Sequence, residues 1–260
     1  MLQTAIEAAQ RAGRLIAERY PTRRNAFYKG YRDLVTETDI AAEKTILGVV
    51  RKRFPDHAVL SEETAGGKIG QDYTWVIDPL DGTSNYTHRV PIFAVSIAVL
   101  EHGDPLIGVV YDPMREHLFL AQRGQGATLN DQPLQVSSVS ELHQALVGLD
   151  WARGEEARRE VLSNLGRVAP RCHTVRVMGS ATLGLTYVAA GWLDGYFHLA
   201  LHPWDAAAAV LLTTEAGGRC TTFEGQPYPV TSPRCAATNG RIHQELLDAL
   251  GGVQSARRNP

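Results

Sequence analysis

Apolar residues recur at helical spacing over Leu2–Tyr20, at Leu2, Ile6, Ala9, Ala12 and Ile16, and the pattern stops before Pro21. A loop containing Lys29 follows. Thr38 or Asp39 then caps a second helix, predicted from Ile40 to about Phe54, with Ile40, Ile46, Leu47 and Val50 as its buried stripe and Pro55 as its stop. His57–Leu60 reads as a short strand ending at Ser61-Glu62-Glu63, and Tyr73–Ile77 as another that ends at Asp78. From Ile92 the alternation becomes a meander. FAVSIAVL, LIGVVYD and EHLFLAQ are its strands, with turns at Gly103-Asp104-Pro105 and Asp112-Pro113, before Gly124 and Gly126 lead into ATLNDQPLQVS. Beyond about Ser140 strands and helices alternate. ALVGLD, HTVRVM, LDGYFHLAL, RCTTFEG and CAATNG are the strands, and EEARREVLSNLGRVA, GSATLGLTYVAAGW, WDAAAAVLLTTEAGG and RIHQELLDALGG the helices. The last eight residues read as a frayed tail.

These patterns predict an α/β chain, a layered sandwich with a large antiparallel sheet followed by a smaller mixed one. The organisation expected is an N-terminal α+β half over 1–140 and a C-terminal α/β half over 141–260, joined without a linker into one compact unit. Composition narrows the partners. The 260 residues are 44% hydrophobic and carry a formal net charge of -2, so there is no basic footprint for nucleic acid or a membrane surface. Three scattered cysteines without metal spacing, and an N-terminal amphipathic helix in place of a signal peptide, point to a reducing cytoplasm. The sequon Asn85-Tyr86-Thr87 is then a chance match. Basic residues divide into 4 Lys and 22 Arg, which reads as compositional bias.

Acidic residues cluster where elements begin or end: Asp39 at a helix head, Glu62-Glu63 after a strand, Asp78 and Asp81 after another, and Asp205 opening a helix in HPWDAAAA. Singly, each has an ordinary structural reading. Asp78-Pro79 and Asp81-Gly82 are common turn dipeptides, Asp39 and Asp205 would serve as N-caps, and Glu62-Glu63 as a solvated turn. Jointly they suggest a cation site, because strand ends and helix starts converge on clefts. An all-oxygen donor set without His or Cys suits a hard ion such as Mg²⁺. Pro79 stiffens the segment, the Leu80 carbonyl lies between the two aspartates, and Gly82-Thr83 offers a phosphate cradle. No P-loop, nucleophile elbow or dinucleotide fingerprint is present, and Gly66-Gly67-Lys68 reads as a hairpin or lid.

The ordered motifs DLVTETD (33–39), SEE (61–63), WVIDPLDGTSNYTH (75–88), MGSATLGLTYVAAG (178–191) and WDAAAAVLLTTEAGG (204–218) resemble the inositol monophosphatase-like family of Mg²⁺-dependent, lithium-sensitive phosphatases. The resemblance implies a five-layer αβαβα arrangement, a homodimer and two or three Mg²⁺ per site. Glu62, Asp78 and the Leu80 carbonyl would hold one ion, and Asp78, Asp81 and Asp205 a second. Thr83, hydrogen-bonded to Asp39, would orient the attacking water, and the Gly82 and Thr83 N–H groups would bind phosphate. Gly179, Ser180 and Ala181 match the segment lining the substrate pocket, while Lys29 and Glu63 fall where the family shapes a third cation site and its lid. Where inositol-specific members carry a glutamate, this chain has His198. Strand alternation places it on one face with Tyr196, Ala200 and His202.

The implied activity is hydrolysis of a small polyol or sugar phosphate. Inositol 1-phosphate ranks first, fructose 1,6-bisphosphate or a broad sugar phosphate next, then histidinol phosphate, with nucleotide bisphosphates last. The non-enzymatic alternative is a regulatory protein that retains the fold.

Overall fold

The computed structural model describes residues 1–20, 26–63 and 67–251. In chain order the elements begin with α1 (Leu2–Arg19), β1 (Ala26–Gly30), β2 (Asp33–Thr36), α2 (Glu37–Arg53), β3 (Ala58–Ser61), β4 (Tyr73–Asp81) and α3 (Thr83–Thr87). The meander follows as β5 (Ala94–Glu101), β6 (Asp104–Asp112), β7 (His117–Gln122), β8 (Ala127–Leu129) and β9 (Gln132–Pro133). A short 3₁₀ turn leads to β10 (Leu146–Leu149), α4 (Glu155–Val168), β11 (Thr174–Val177), α5 (Ala181–Ala189), β12 (Gly195–His198) and α6 (Pro203–Glu215). The described chain closes with β13 (Arg219–Thr221), β14 (Cys235–Thr238) and α7 (His243–Leu250).

A seven-stranded sheet runs β3-β4-β5-β6-β7-β8-β9, antiparallel except for the β3–β4 edge pair. A five-stranded mixed sheet runs β11-β10-β12-β14-β13. α1 and α2 cover one face of the large sheet, burying Ala5, Ala12, Ile16 and Ile46 against Trp75, Ile77, Ile97 and Val109. α5 and α6 lie between the two sheets, and α4 and α7 pack on each other beyond the smaller one. This is the five-layer αβαβα sandwich. Small residues set its middle spacing. Ala206 to Ala209 of α6 approach β6 so closely that a Cβ on Gly108 would lie 2.7 Å from the Ala208 carbonyl oxygen.

Several boundaries differ from the sequence reading. The segment read as a loop around Lys29 is the β1–β2 hairpin. Every residue of β1 is exposed, so it carries no alternation to read. α2 starts earlier than expected, and its cap is Thr36, whose hydroxyl accepts from Thr38 N and Asp39 N. Ile40 faces outward; Ala42, Ile46, Val49 and Val50 form the buried stripe instead. β4 runs through the acidic motif to Asp81. β12 ends at His198, so Ala200 and His202 lie past the strand and its alternation does not place them. Gly67 and Lys68 take no regular structure, while Gly66 and the expected tail lie outside the described residues. Among the described residues no helix is long and apolar enough to cross a membrane, and the cysteines form no disulfide.

Candidate active site

Asp78 and Asp81 are three residues apart, so a regular strand would send them to opposite faces. The ladder with β5 slips between them. Asp78 pairs with Ser96 and Asp81 with Ala94, so three steps on β4 match two on β5. This extra residue restores the parity and brings both side chains to one side. Leu80 N donates to Asp78 Oδ1 at 3.0 Å and fixes that turn. The chain then leaves through Gly82 at φ 93, where an added Cβ would lie 2.9 Å from the Ile92 carbonyl oxygen.

Asp205 arrives from the middle layer. Pro203 opens α6, and Asp205 sits in its first turn, accepting from His202 N at 2.7 Å. Thr182 Oγ1 donates to the Asp205 carbonyl, and Ser96 Oγ to that of Trp204, fastening this helix start to α5 and β5. One carboxylate oxygen each from Asp78, Asp81 and Asp205 lie within 4.8 Å of one another. Burial pushes the Asp78 carboxyl well above the usual range, and Glu62, Asp81 and Asp205 raise it further. Burial and Asp81 do the same to Asp205. Asp81 is pushed to about 6 by burial, although hydrogen bonds from Ser180 Oγ and Thr182 N at Oδ2 pull the other way. Three like charges at this spacing, two buried and Asp205 half-buried, call for a compensating cation, and their all-oxygen chemistry fits a hard divalent ion.

Glu62 follows β3, its N–H bonded to the Ile77 carbonyl. Its carboxylate lies 3.6 Å from Lys29 Nζ and 3.5 Å from Arg153. Glu63 meets the same lysine at 2.7 Å; burial lifts its carboxyl to about 7 against that lysine's pull. Burial would lower the Lys29 pKa, but Glu62 and Glu63 together leave it raised. Both accessory residues therefore pair beside Glu62.

Thr83 Oγ1 lies 2.9 Å from Asp39 Oδ1 and 3.1 Å from the Leu80 carbonyl oxygen. Asp39 is not the cap of α2 but the third residue of its capping box, where Oδ2 accepts from Thr36 N at 2.9 Å and from the Thr36 hydroxyl. Full burial raises its carboxyl to about 6, with the threonine bonds opposing the rise. Asp39 thus faces Thr83 with one oxygen while the helix start orients the other.

A cavity of about 420 Å³ is lined by Glu62, Asp78, Leu80, Asp81, Gly82 and Thr83 from the N-terminal half and by Gly179, Ser180, Ala181, His198 and Asp205 from the C-terminal half. The Ser180 hydroxyl is committed to Asp81, so that residue braces the acidic cluster from the C-terminal half. Asn85, of the chance sequon, holds the same segment by donating to the Met178 and Ile92 carbonyls at 2.8 Å. His198 is buried, and burial, His202 and Arg153 lower its pKa to about 4. Nδ1 accepts from Ala200 N at 3.0 Å, so the neutral ring carries its proton on Nε2. A donor stands where a glutamate would accept.

Sequence reasoning passed over Asp150, although it follows the apolar strand β10 just as Asp78 follows an apolar run. Its Oδ1 accepts from Gly179 N at 2.6 Å and its Oδ2 from the Tyr196 hydroxyl at 3.0 Å. Burial raises it to about 7. Also missed were Arg32, Arg153 and Arg158 on the cavity lining, hidden among many arginines.

Similarity to known proteins agrees with this fold. The chain is 42% identical over 253 residues to "Nus factor SuhB" of Escherichia coli K12, covering 95% of this chain and 94% of that protein. It is 40% identical over 257 residues to "Inositol-1-monophosphatase" of a Synechocystis species, covering 97% and 89%. The structure of inositol monophosphatase from Anabaena superposes with a TM-score of 0.86 at 38% identity, over 98% of this chain and 97% of that one. The family model described as the inositol monophosphatase family matches residues 1–255, and the chain belongs to that family.

Proposed function

We propose that the protein is a Mg²⁺-dependent phosphomonoesterase acting on a small polyol or sugar phosphate. The observation that carries this reading is the convergence of Asp78, Asp81 and Asp205 beside Glu62 and the Thr83–Asp39 pair in one cavity. Glu62, Asp78 and the Leu80 carbonyl would hold one ion, and Asp78, Asp81 and Asp205 another. An ion bound there would supply Lewis-acid chemistry, acidifying a water and neutralising charge on the transferring phosphoryl group. Thr83 donates from Oγ1 to Asp39 Oδ1, which leaves Oγ1 able to take a proton from the attacking water. Asp39, at about 6, is mostly ionised at neutral pH and receives the relayed proton; the capping bonds from Thr36 keep its other oxygen from turning away. Gly82 and Thr83 offer backbone N–H groups to the phosphate. Lithium sensitivity and a homodimer, implied by the resemblance, belong to the same reading.

Inositol 1-phosphate is named by relatives, but neutral His198 takes away the carboxylate acceptor for ring hydroxyls, so the reading stays with the wider class. The relatives named Nus factor support a second reading, a binding role beside or in place of catalysis. The intact set of Asp39, Glu62, Asp78, Asp81, Thr83 and Asp205 runs against a purely non-catalytic form.

The test is Asp81→Asn, which removes a charge while an amide oxygen can still accept from Ser180 and Thr182. Phosphate release from p-nitrophenyl phosphate with Mg²⁺ should fall more than about 100-fold, beyond the usual cost of disturbing a group behind a metal ligand. Full activity in a folded Asp81→Asn protein refutes the assignment.

A further inference from the structure

Cationic side chains also line the cavity wall. Arg158, in the first turns of α4, donates from Nε to the Ala152 carbonyl at 2.8 Å, with its guanidinium 5.9 Å from the Trp151 ring centre. Arg32 stands in the β1–β2 turn at φ 59, its guanidinium 4.6 Å over the Tyr31 ring. Among the described residues, neither has a carboxylate partner. Arg153 reaches across the mouth from the loop after β10 to Asp33 at 2.9 Å and Glu62 at 3.5 Å. His198 adds an N–H donor to this side. The carboxylate here, Asp150, has both oxygens engaged by Gly179 and Tyr196.

A neutral polyol needs acceptors for its hydroxyl protons as well as donors for their lone pairs. The side chains of this wall offer donors, and two of the arginines lack a counter-charge. An unpaired guanidinium lining a cavity is suited to phosphate or carboxylate, which its planar fork binds in pairs of hydrogen bonds. The geometry points to a substrate that carries a second anionic group, a phosphate or a carboxylate, at the end remote from the scissile phosphoryl. Arg158 and Arg32 bind that group, and Arg153 adds positive potential at the mouth. This inference rests on the phosphatase reading above.

Two matched substrate pairs test it on the full-length protein with Mg²⁺. Fructose 1,6-bisphosphate and fructose 1-phosphate differ by a distal phosphate. 6-Phosphogluconate and glucitol 6-phosphate differ by a distal carboxylate. In at least one pair the member with the second anionic group should have a kcat/KM about tenfold higher or more, expressed in KM, the scale of one charge-assisted hydrogen bond. The pair that shows it identifies the anion. Arg158→Met and Arg32→Met should each shrink that ratio, while Arg158→Lys keeps part of it. Equal kcat/KM within both pairs, with the monoesters turned over, overturns the inference and leaves the phosphatase reading standing. A preference that survives in both methionine variants overturns the assignment to these arginines. Failure to hydrolyse any of the four esters overturns the phosphatase reading itself.

Discussion

Replacing Asp150 by Asn isolates the cost of a carboxylate buried behind the Gly179–Ser180 segment. Burial lifts this group from its ordinary 3.8 to about 7, with bonds from Gly179 N and Tyr196 Oη opposing the rise. The rise corresponds to about 4 kcal/mol of ionisation cost at pH above that value. The folded-state value exceeds the unfolded one. The contribution is therefore intact below about pH 4 and is lost as pH climbs through about 7. An amide is uncharged throughout, and its oxygen can still accept from Gly179. Thermal unfolding of Asp150→Asn and the parent, both in chelator, should differ by only about 2 °C near pH 4.5, where roughly 1 kcal/mol has been lost. By pH 8.5 the variant should lead by on the order of 8 °C, at roughly 2 °C per kcal/mol for a chain of this size. Comparing the two proteins at each pH cancels the parallel titrations of Asp39, Asp78, Asp81 and Asp205. A Tm difference that does not change with pH would show that Asp150 carries no such ionisation cost.

Thr83→Ala removes the hydroxyl between Asp39 and the Leu80 carbonyl, so kcat should fall by about 10²–10⁴ with little change in KM; unchanged kcat removes Thr83 from proton transfer. Mg²⁺ should raise Tm more at pH 8 than at pH 5, because the raised carboxyls of Asp78, Asp81 and Asp205 hold protons at the lower pH and compete with the ion. Equal increments at the two pH values would place the ion elsewhere. Gly82→Ala forces a side chain into a left-handed position against the Ile92 carbonyl and should cost about 1–3 kcal/mol, read as a lowered Tm.

The layers were legible because each buried face writes its period into the chain: 3.6 in α1, two in the meander. β1 escaped because both its faces are exposed and neither is apolar throughout. The end of β4 was misread because Asp78-Pro79 has the chemistry of a turn; the ladder tolerates it by slipping one residue against β5. Asp39, Glu62, Asp78, Asp81 and Asp205 stood out as acids at the margins of apolar elements. Asp150 had the same mark but lay in no recognisable motif. The cavity arginines gave no local signal, since what distinguishes Arg158 from its neighbour Arg159 is the direction α4 presents it, which only the folded chain decides.

Asp78 and Asp81 hang from the large sheet, while Asp205 belongs to the helix layer that also packs on the small one. A cluster of mutually repelling carboxylates is therefore built into its seam. Protons hold that seam shut in acid. In neutral solution a cation bound there would take over the task, so loading the site would also rivet the layers together, and chelation should loosen the molecule along that line first.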